Sequence, residues 1–171
     1  MSNLSAGVSV LLERMKFNES RYDSEQLASI VTGLRLLERV VGDEQVLFYT
    51  VDEINFTGGP GDKWGVAVYT PTRKISGVLC ELEQNGYPVL EFHEVKSEVL
   101  PVISSVSLKY AKRGPGDSLN PAYVSVKVQI VDEVFTLLGN NPDIKKISGT
   151  PFTDPFELHD ELVEVMGLGR P

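Results

Sequence analysis

The chain of 171 residues holds a single cysteine, Cys80. That excludes an intrachain disulfide and a cysteine-built zinc cluster, and it fits a reducing, cytoplasmic setting. Histidine is almost as scarce: His93 and His159 are the only two, too few for a three-histidine metal centre. Positive charge is in deficit, with 16 Lys and Arg against 24 Asp and Glu and a formal net charge of -8. General nucleic-acid binding needs clustered Lys and Arg to neutralise phosphates, so it is not expected here. No apolar run approaches the ~20 residues of a membrane span. The stretch Val8 to Leu12 is too short for a signal-peptide core and has no basic flank before it, so neither a targeting signal nor a membrane partner is expected.

Catalytic signatures are missing too. There is no G-x-S-x-G elbow, no Walker loop and no H-E-x-x-H pair. "GGPGDK" has glycines and a lysine but not the P-loop spacing, and it leads into a strand rather than a phosphate-holding helix N-terminus. No cofactor is implied.

The chain does have the means to build a core. The apolar fraction is 42% and the charged fraction 23%, ordinary globular values. One domain of this length buries about 70% of its unfolded-chain surface, so residues 1–171 are expected to form a single domain. Three parts are expected within it: a helical part over 1–42, an antiparallel β region over 45–131 and a helical part over 132–171.

Leu4, Val8, Leu11, Leu12 and Met15 recur at helical spacing and predict a helix near 4–17. Leu27, Ile30, Leu34, Leu37 and Val41 form a longer apolar stripe, with Asp23 or Ser24 to start that helix and Gly42 to end it. The period then changes from 3.6 to 2. "QVLFYTVDEINF", "WGVAVYT", "ISGVLCELE", "PVLEFHEVK", "VISSVSLKYA" and "YVSVKVQI" read as six strands, joined closely enough to be mainly antiparallel. Asn85-Gly86 suits a tight hairpin turn. Val102, Val106 and Leu108 are expected on one face, as are Val124, Val126, Val128 and Ile130. "DEVFTLLG" and "NPDIKKISG" read as short helices or turns. "DPFELHDELVEVMG" reads as a capped helix: Asp154 at N-cap, Pro155 at the first position, Glu157 at the capping-box position and Gly167 past the end. Phe156, Val163 and Met166 are expected to share its apolar face. The fold class is α+β.

One short motif occurs twice. Gly59-Pro60-Gly61-Asp62 and Gly114-Pro115-Gly116-Asp117 each lie between two strand-like segments. Proline at the second position and glycine at the third are what a type II turn needs, so both motifs are expected at the tips of long hairpins. Asp62 and Asp117 suit turn closure better than calcium loops, because the spaced carboxylates of an EF-hand are absent.

Three readings of function follow. The first is a non-enzymatic structural or interaction subunit that self-assembles or docks on partner proteins through the eight loop residues above and through sheet edges. Tail-type virion components share that layout, an architectural analogy alone. The alternative rests on Glu94 and Lys96, two apart on one strand face. Their E-x-K pattern resembles that of metal-dependent nucleases of the restriction-endonuclease type, in which the carboxylate holds Mg²⁺ and the lysine helps activate water. Glu81 and Glu38 are the further acids available to such a site. The usual upstream aspartate is absent, and strand follows Lys96 where that fold needs a helix. A third reading, an inhibitor or adaptor, rests on the acidic C-terminal helix against a basic partner.

Overall fold

The computed structural model describes residues 35–54, 61, 63–85, 87–110, 120–138 and 146–167. The expected helix at 4–17 lies outside them, as do Leu27, Ile30 and Leu34 and, apart from Gly61, both turn motifs. Within them the chain is α+β: a helix before the strands, a helix after them, and eight strands in two antiparallel sheets. The large sheet runs β4-β3-β2-β1-β8 and the small one β5-β6-β7. The strands are β1 (Phe48–Ile54), β2 (Lys63–Tyr69), β3 (Arg73–Gln84), β4 (Tyr87–Val99), β5 (Ile103–Tyr110), β6 (Val124–Ile130), β7 (Glu133–Leu137) and β8 (Lys146–Gly149).

Helix α1, over residues 35–41, buries Leu37 and Val41, one turn apart on the apolar stripe. Gly42 ends it at φ +61, its N–H donating to the Glu38 carbonyl at 2.9 Å, a left-handed cap suited to glycine. Gly61 has φ +97, as the third position of a type II turn requires. Both paired segments flanking the repeated motif are antiparallel neighbours, β1 with β2 and β5 with β6.

Alternation along the register sorts the large sheet into two faces. Phe48, Ala67 and Tyr69 stand on the face that meets the small sheet and helix α2 (Pro155–Val165), where Val126, Val128, Ile130, Phe135, Leu137, Leu158 and Leu162 complete one core. The Phe48 and Tyr69 rings stack with centroids 4.3 Å apart. On the opposite face Tyr49, Val51, Val68, Ile75 and Leu79 are buried outside that cluster.

Arg73 ties three segments together. Its guanidinium donates to Glu44 Oε1 at 2.6 Å, to the Val40 carbonyl at 2.6 Å and to Ser97 Oγ at 3.1 Å, joining the end of α1, the approach to β1 and strand β4. Thr72 Oγ1 adds a bond to Glu44 Oε2 at 3.0 Å. The buried Thr70 hydroxyl closes the turn before Arg73, accepting from the Arg73 N–H and donating to its carbonyl, each at 3.1 Å.

The structure corrects four expectations. "DEVFTLLG" supplies strand β7 and the described end of "NPDIKKISG" supplies β8, so among the described residues the strands number eight rather than six, and α-helix follows at Pro155. In β7 Phe135 and Leu137 are buried while Val134 is exposed, a period-two pattern too short for a stable helix. In β8, β1 provides the backbone partners and Ser148 Oγ donates to the Thr136 carbonyl at 3.1 Å. Gly149 sits so close to β1 that a Cβ there would overlap the Tyr49 ring.

Val102 does not join Val106 and Leu108. A register shift between Ile103 and Ser105 changes the alternation, so Ile103 is buried and Val102 projects before the strand begins. Finally, α2 buries Pro155, Leu158 and Leu162, with Phe156, Val163 and Met166 only half-buried. Its cap is as expected at Asp154, whose Oδ1 accepts from the Phe156 N–H at 2.9 Å, but among the described residues Glu157 returns no bond. The stripe Val124, Val126, Val128 and Ile130 is buried as the alternation requires.

Candidate functional site

The small sheet covers only part of the large sheet's inner face. Further along that face, small residues leave a depression: Gly65 and Ala67 on β2 and Ser76 on β3 cannot fill the space that longer side chains would. The result is a cavity of about 310 Å³. Thr50 and Asp52 line it from β1, Tyr69 from β2, Lys74 from β3, Glu94 and Lys96 from β4, and Glu133 from β7.

Two hydroxyls in this cavity stand out. Thr50 and Tyr69 are each only 4% exposed, and neither hydroxyl has a hydrogen-bond partner among the described residues. Buried hydroxyls in folded proteins nearly always have one. The Tyr69 phenol is pushed up to about 12, first by burial and then by the negative charges of Glu133, Asp52 and Glu98. Lys74 Nζ stands 5.9 Å from the centre of the Tyr69 ring, within cation–π range.

The structure brings Glu94 and Lys96 together at this cavity, as their spacing on one strand implies. Lys96 is engaged by Glu98, with Nζ to Oε1 at 2.9 Å. The hydrogen bond and charge of Glu98 push the Lys96 ammonium above its ordinary value and hold the Glu98 carboxyl below its own. A lysine that activates water needs the opposite shift. Glu81 pairs with Leu90 in the register, five positions along β3 from Ser76, the partner of Lys96. Glu38 belongs to α1. Among the described residues no group of three or more His, Cys, Asp and Glu is arranged to hold a metal ion.

Divalent metal is therefore expected to support no DNA cleavage. Incubation of plasmid DNA with the protein and Mg²⁺ or Mn²⁺ checks this. Cleavage lost in both Glu94→Ala and Lys96→Ala would establish the nuclease reading.

Of the histidines, His93 falls at a bulge in β4, where it and Glu94 together oppose Val78, and His159 Nδ1 lies 3.2 Å from Asp160 Oδ1 on α2. Cys80 is a buried free thiol. Of the loop residues, Gly61 is exposed, with open space where a Cβ would project. Gly59, Pro60, Asp62, Gly114, Pro115, Gly116 and Asp117 lie outside the described residues.

Thr50, Asp52, Tyr69, Ser76 and Glu133 are functional candidates that the sequence motifs did not single out. The available signal was the small-residue alternation Gly65, Ala67 across from the polar alternation Thr50, Asp52, two adjacent strand faces too small and too polar to fill the space beside the core. Comparison of the chain with protein-family profiles, with curated proteins and with solved structures returns no match.

Proposed function

We propose that the chain is a non-enzymatic interaction subunit that docks on a protein partner through exposed hairpin ends. The observation that carries this reading is Val131. Ile130 pairs with Glu133, so Val131 and Asp132 are the two central residues of the β6–β7 turn. Val131 has φ +52, a conformation in which a β-branched residue is strained by about 1–3 kcal/mol and which glycine adopts freely. It is also 68% exposed, so burial within the chain does not offset that strain. A residue costly to the fold in both respects is accounted for by a contact outside the fold.

Its surroundings agree. Val102 (80% exposed) and Val131 flank the same end of the β5–β6 ladder, next to the Ile103–Ile130 pair. Val134 (56%) follows on β7 and Val99 (89%) closes β4 shortly before β5. Grouped exposed aliphatic residues of this kind mark interaction surfaces. Asp132 and Glu133, beside the valines, favour a partner whose matching apolar surface is edged with Lys or Arg. The edge strand β4 is less suited to docking, since exposed Glu94, Lys96 and a bulge are the usual means of blunting an edge.

Val131→Gly is expected to raise stability by about 1 kcal/mol in a urea titration, because strain is relieved and little burial is lost. The same variant, and Val102→Ser, are expected to weaken association measured by light scattering and by retention of a defined partner. The reading fails if the wild-type protein is monomeric at high concentration and retains no specific partner. It also fails if both variants associate as well as wild type.

A further inference from the structure

We infer that the cavity on the large sheet is a binding site for a small neutral polyol of monosaccharide size. This goes beyond the docking surface, which centres on Val102 and Val131. The first ground is a pair of buried hydroxyls. Thr50 on β1 and Tyr69 on β2 both line the cavity, and neither hydroxyl is hydrogen-bonded by a described residue. A buried polar group without a partner costs stability, so two in one cavity call for an occupant with hydrogen-bonding capacity. Both groups are neutral at physiological pH, since the Tyr69 phenol, pushed up to about 12, keeps its proton. Each therefore has one hydrogen bond to donate and lone pairs to accept others.

The second ground is that the charges around the cavity are already engaged. Lys96 is paired with Glu98 at 2.9 Å, Glu94 adds its negative charge to Lys96, and Lys74 adds its positive charge to Glu98. These four side chains, two of each sign, stand on the adjoining strands β3 and β4, with Lys74 opposite Glu98 and Lys96 opposite Ser76 in the register. Lys74 also lies over the Tyr69 ring. Asp52 and Glu133 have interactions of their own. Among the described residues the wall therefore offers no uncommitted charge to select a cation or an anion. The third ground is the mixture of hydrogen-bonding types. Lysine only donates, a carboxylate only accepts, and Thr50, Tyr69 and Ser76 do both. A hydroxyl answers all three, so a ligand carrying several hydroxyls serves every wall in one pose. The volume, about 310 Å³, lies at the lower end for ligand sites and suits a monosaccharide or cyclitol rather than a peptide.

In the bound state, ligand hydroxyls exchange hydrogen bonds with Thr50 Oγ1 and the Tyr69 phenol, while the charged pairs on β3 and β4 keep their partners. The test is titration of the isotope-labelled full chain with D-ribose, D-glucose and myo-inositol, followed by backbone amide shifts in NMR. Putrescine and inorganic phosphate at matched ionic strength serve as charged comparators. At least one of the three polyols is expected to shift amides around Thr50, Tyr69 and Ser76 saturably, and the comparators are not. Thr50→Val keeps the shape of the side chain while removing the hydroxyl, so without ligand it is expected to melt at or above the wild-type temperature. Its polyol affinity is expected to fall about fivefold, the loss of one neutral hydrogen bond. Tyr69→Phe provides the same comparison should Thr50→Val fold poorly. Ser76→Leu, at a half-buried position on the cavity wall, is expected to melt as a folded domain and to lose the shifts. The inference is overturned if none of the polyols binds saturably, which would leave water as the occupant. It is equally overturned if putrescine or phosphate binds as well as the polyols do, if both hydroxyl-deleting variants retain wild-type affinity, or if folded Ser76→Leu still binds.

Discussion

Val126→Asp is expected to unfold the protein. Val126 is fully buried at the centre of β6, paired with Leu108 on one side and Leu137 on the other, and it faces the core that joins the two sheets to α2. Losing the valine forfeits about 1.5–3 kcal/mol of burial. The larger effect is the aspartate, which has no partner in an apolar layer and must either stay charged or take up a proton at a further cost of several kcal/mol. Together these consume most of the ~5–15 kcal/mol that stabilises a typical domain. Circular dichroism is expected to show no cooperative melting transition. Val126→Ala, which only leaves a cavity, is expected to lose about 2 kcal/mol in a urea titration. Lys127→Asp, on the other face of the same strand, is expected to change stability little. A native melting curve for Val126→Asp would refute the assigned strand face.

Arg73→Ala is expected to lose about 2–3 kcal/mol, the second-largest effect. Its side chain is partly solvated, so its bonds to Glu44, Val40 and Ser97 are counted below the sum of three charge-assisted bonds. Losing it frees the end of α1 from β3 and β4 at once. The Arg73 hydrogen bond, opposed by partial desolvation, holds the Glu44 carboxyl below its ordinary 4.5. The folded state therefore binds this proton more weakly than the unfolded chain does. The contribution of Glu44 is fully present above the ordinary carboxylate range, and it fades as pH falls through 4.5 toward the lowered folded value. Glu44→Gln is expected to be less stable than wild type at neutral pH, with the difference narrowing by about pH 3. A gap that stays constant with pH would show that the ion pair contributes nothing.

Much of the fold was readable because local rules and packing agree. The alternation in "YVSVKVQI" assigned the buried face of β6, and Asp154-Pro155 marked the start of α2. Gly42 and Gly61 marked positive φ in advance, as each fits the conformation with no Cβ to oppose it. The failures arose where tertiary pairing overrides local pattern. "DEVFTLLG" has apolar residues compatible with either period, and only the neighbouring β6 decides for strand. The register shift after Ile103 exchanges which of two adjacent residues is buried, and no local composition announces it. The cavity was hidden for a related reason. Its walls come from five strands far apart in sequence, whereas the E-x-K spacing drew attention to one strand alone.

The seating of β8 beside β1 has a consequence for how the chain is made. Thr150 Oγ1 donates to the Leu47 carbonyl at 2.6 Å across 103 positions, and Thr50 pairs with Ser148. On the ribosome β1 emerges early and gains β2 almost at once, but its other backbone edge waits for residues 146–149. Until then, an apolar strand presents unpaired amides and carbonyls while the small sheet is still being synthesised. Such late, non-local closure slows folding and lengthens exposure to aggregation. The four-residue strand that ends that interval thus has an importance to biogenesis out of proportion to the area it buries.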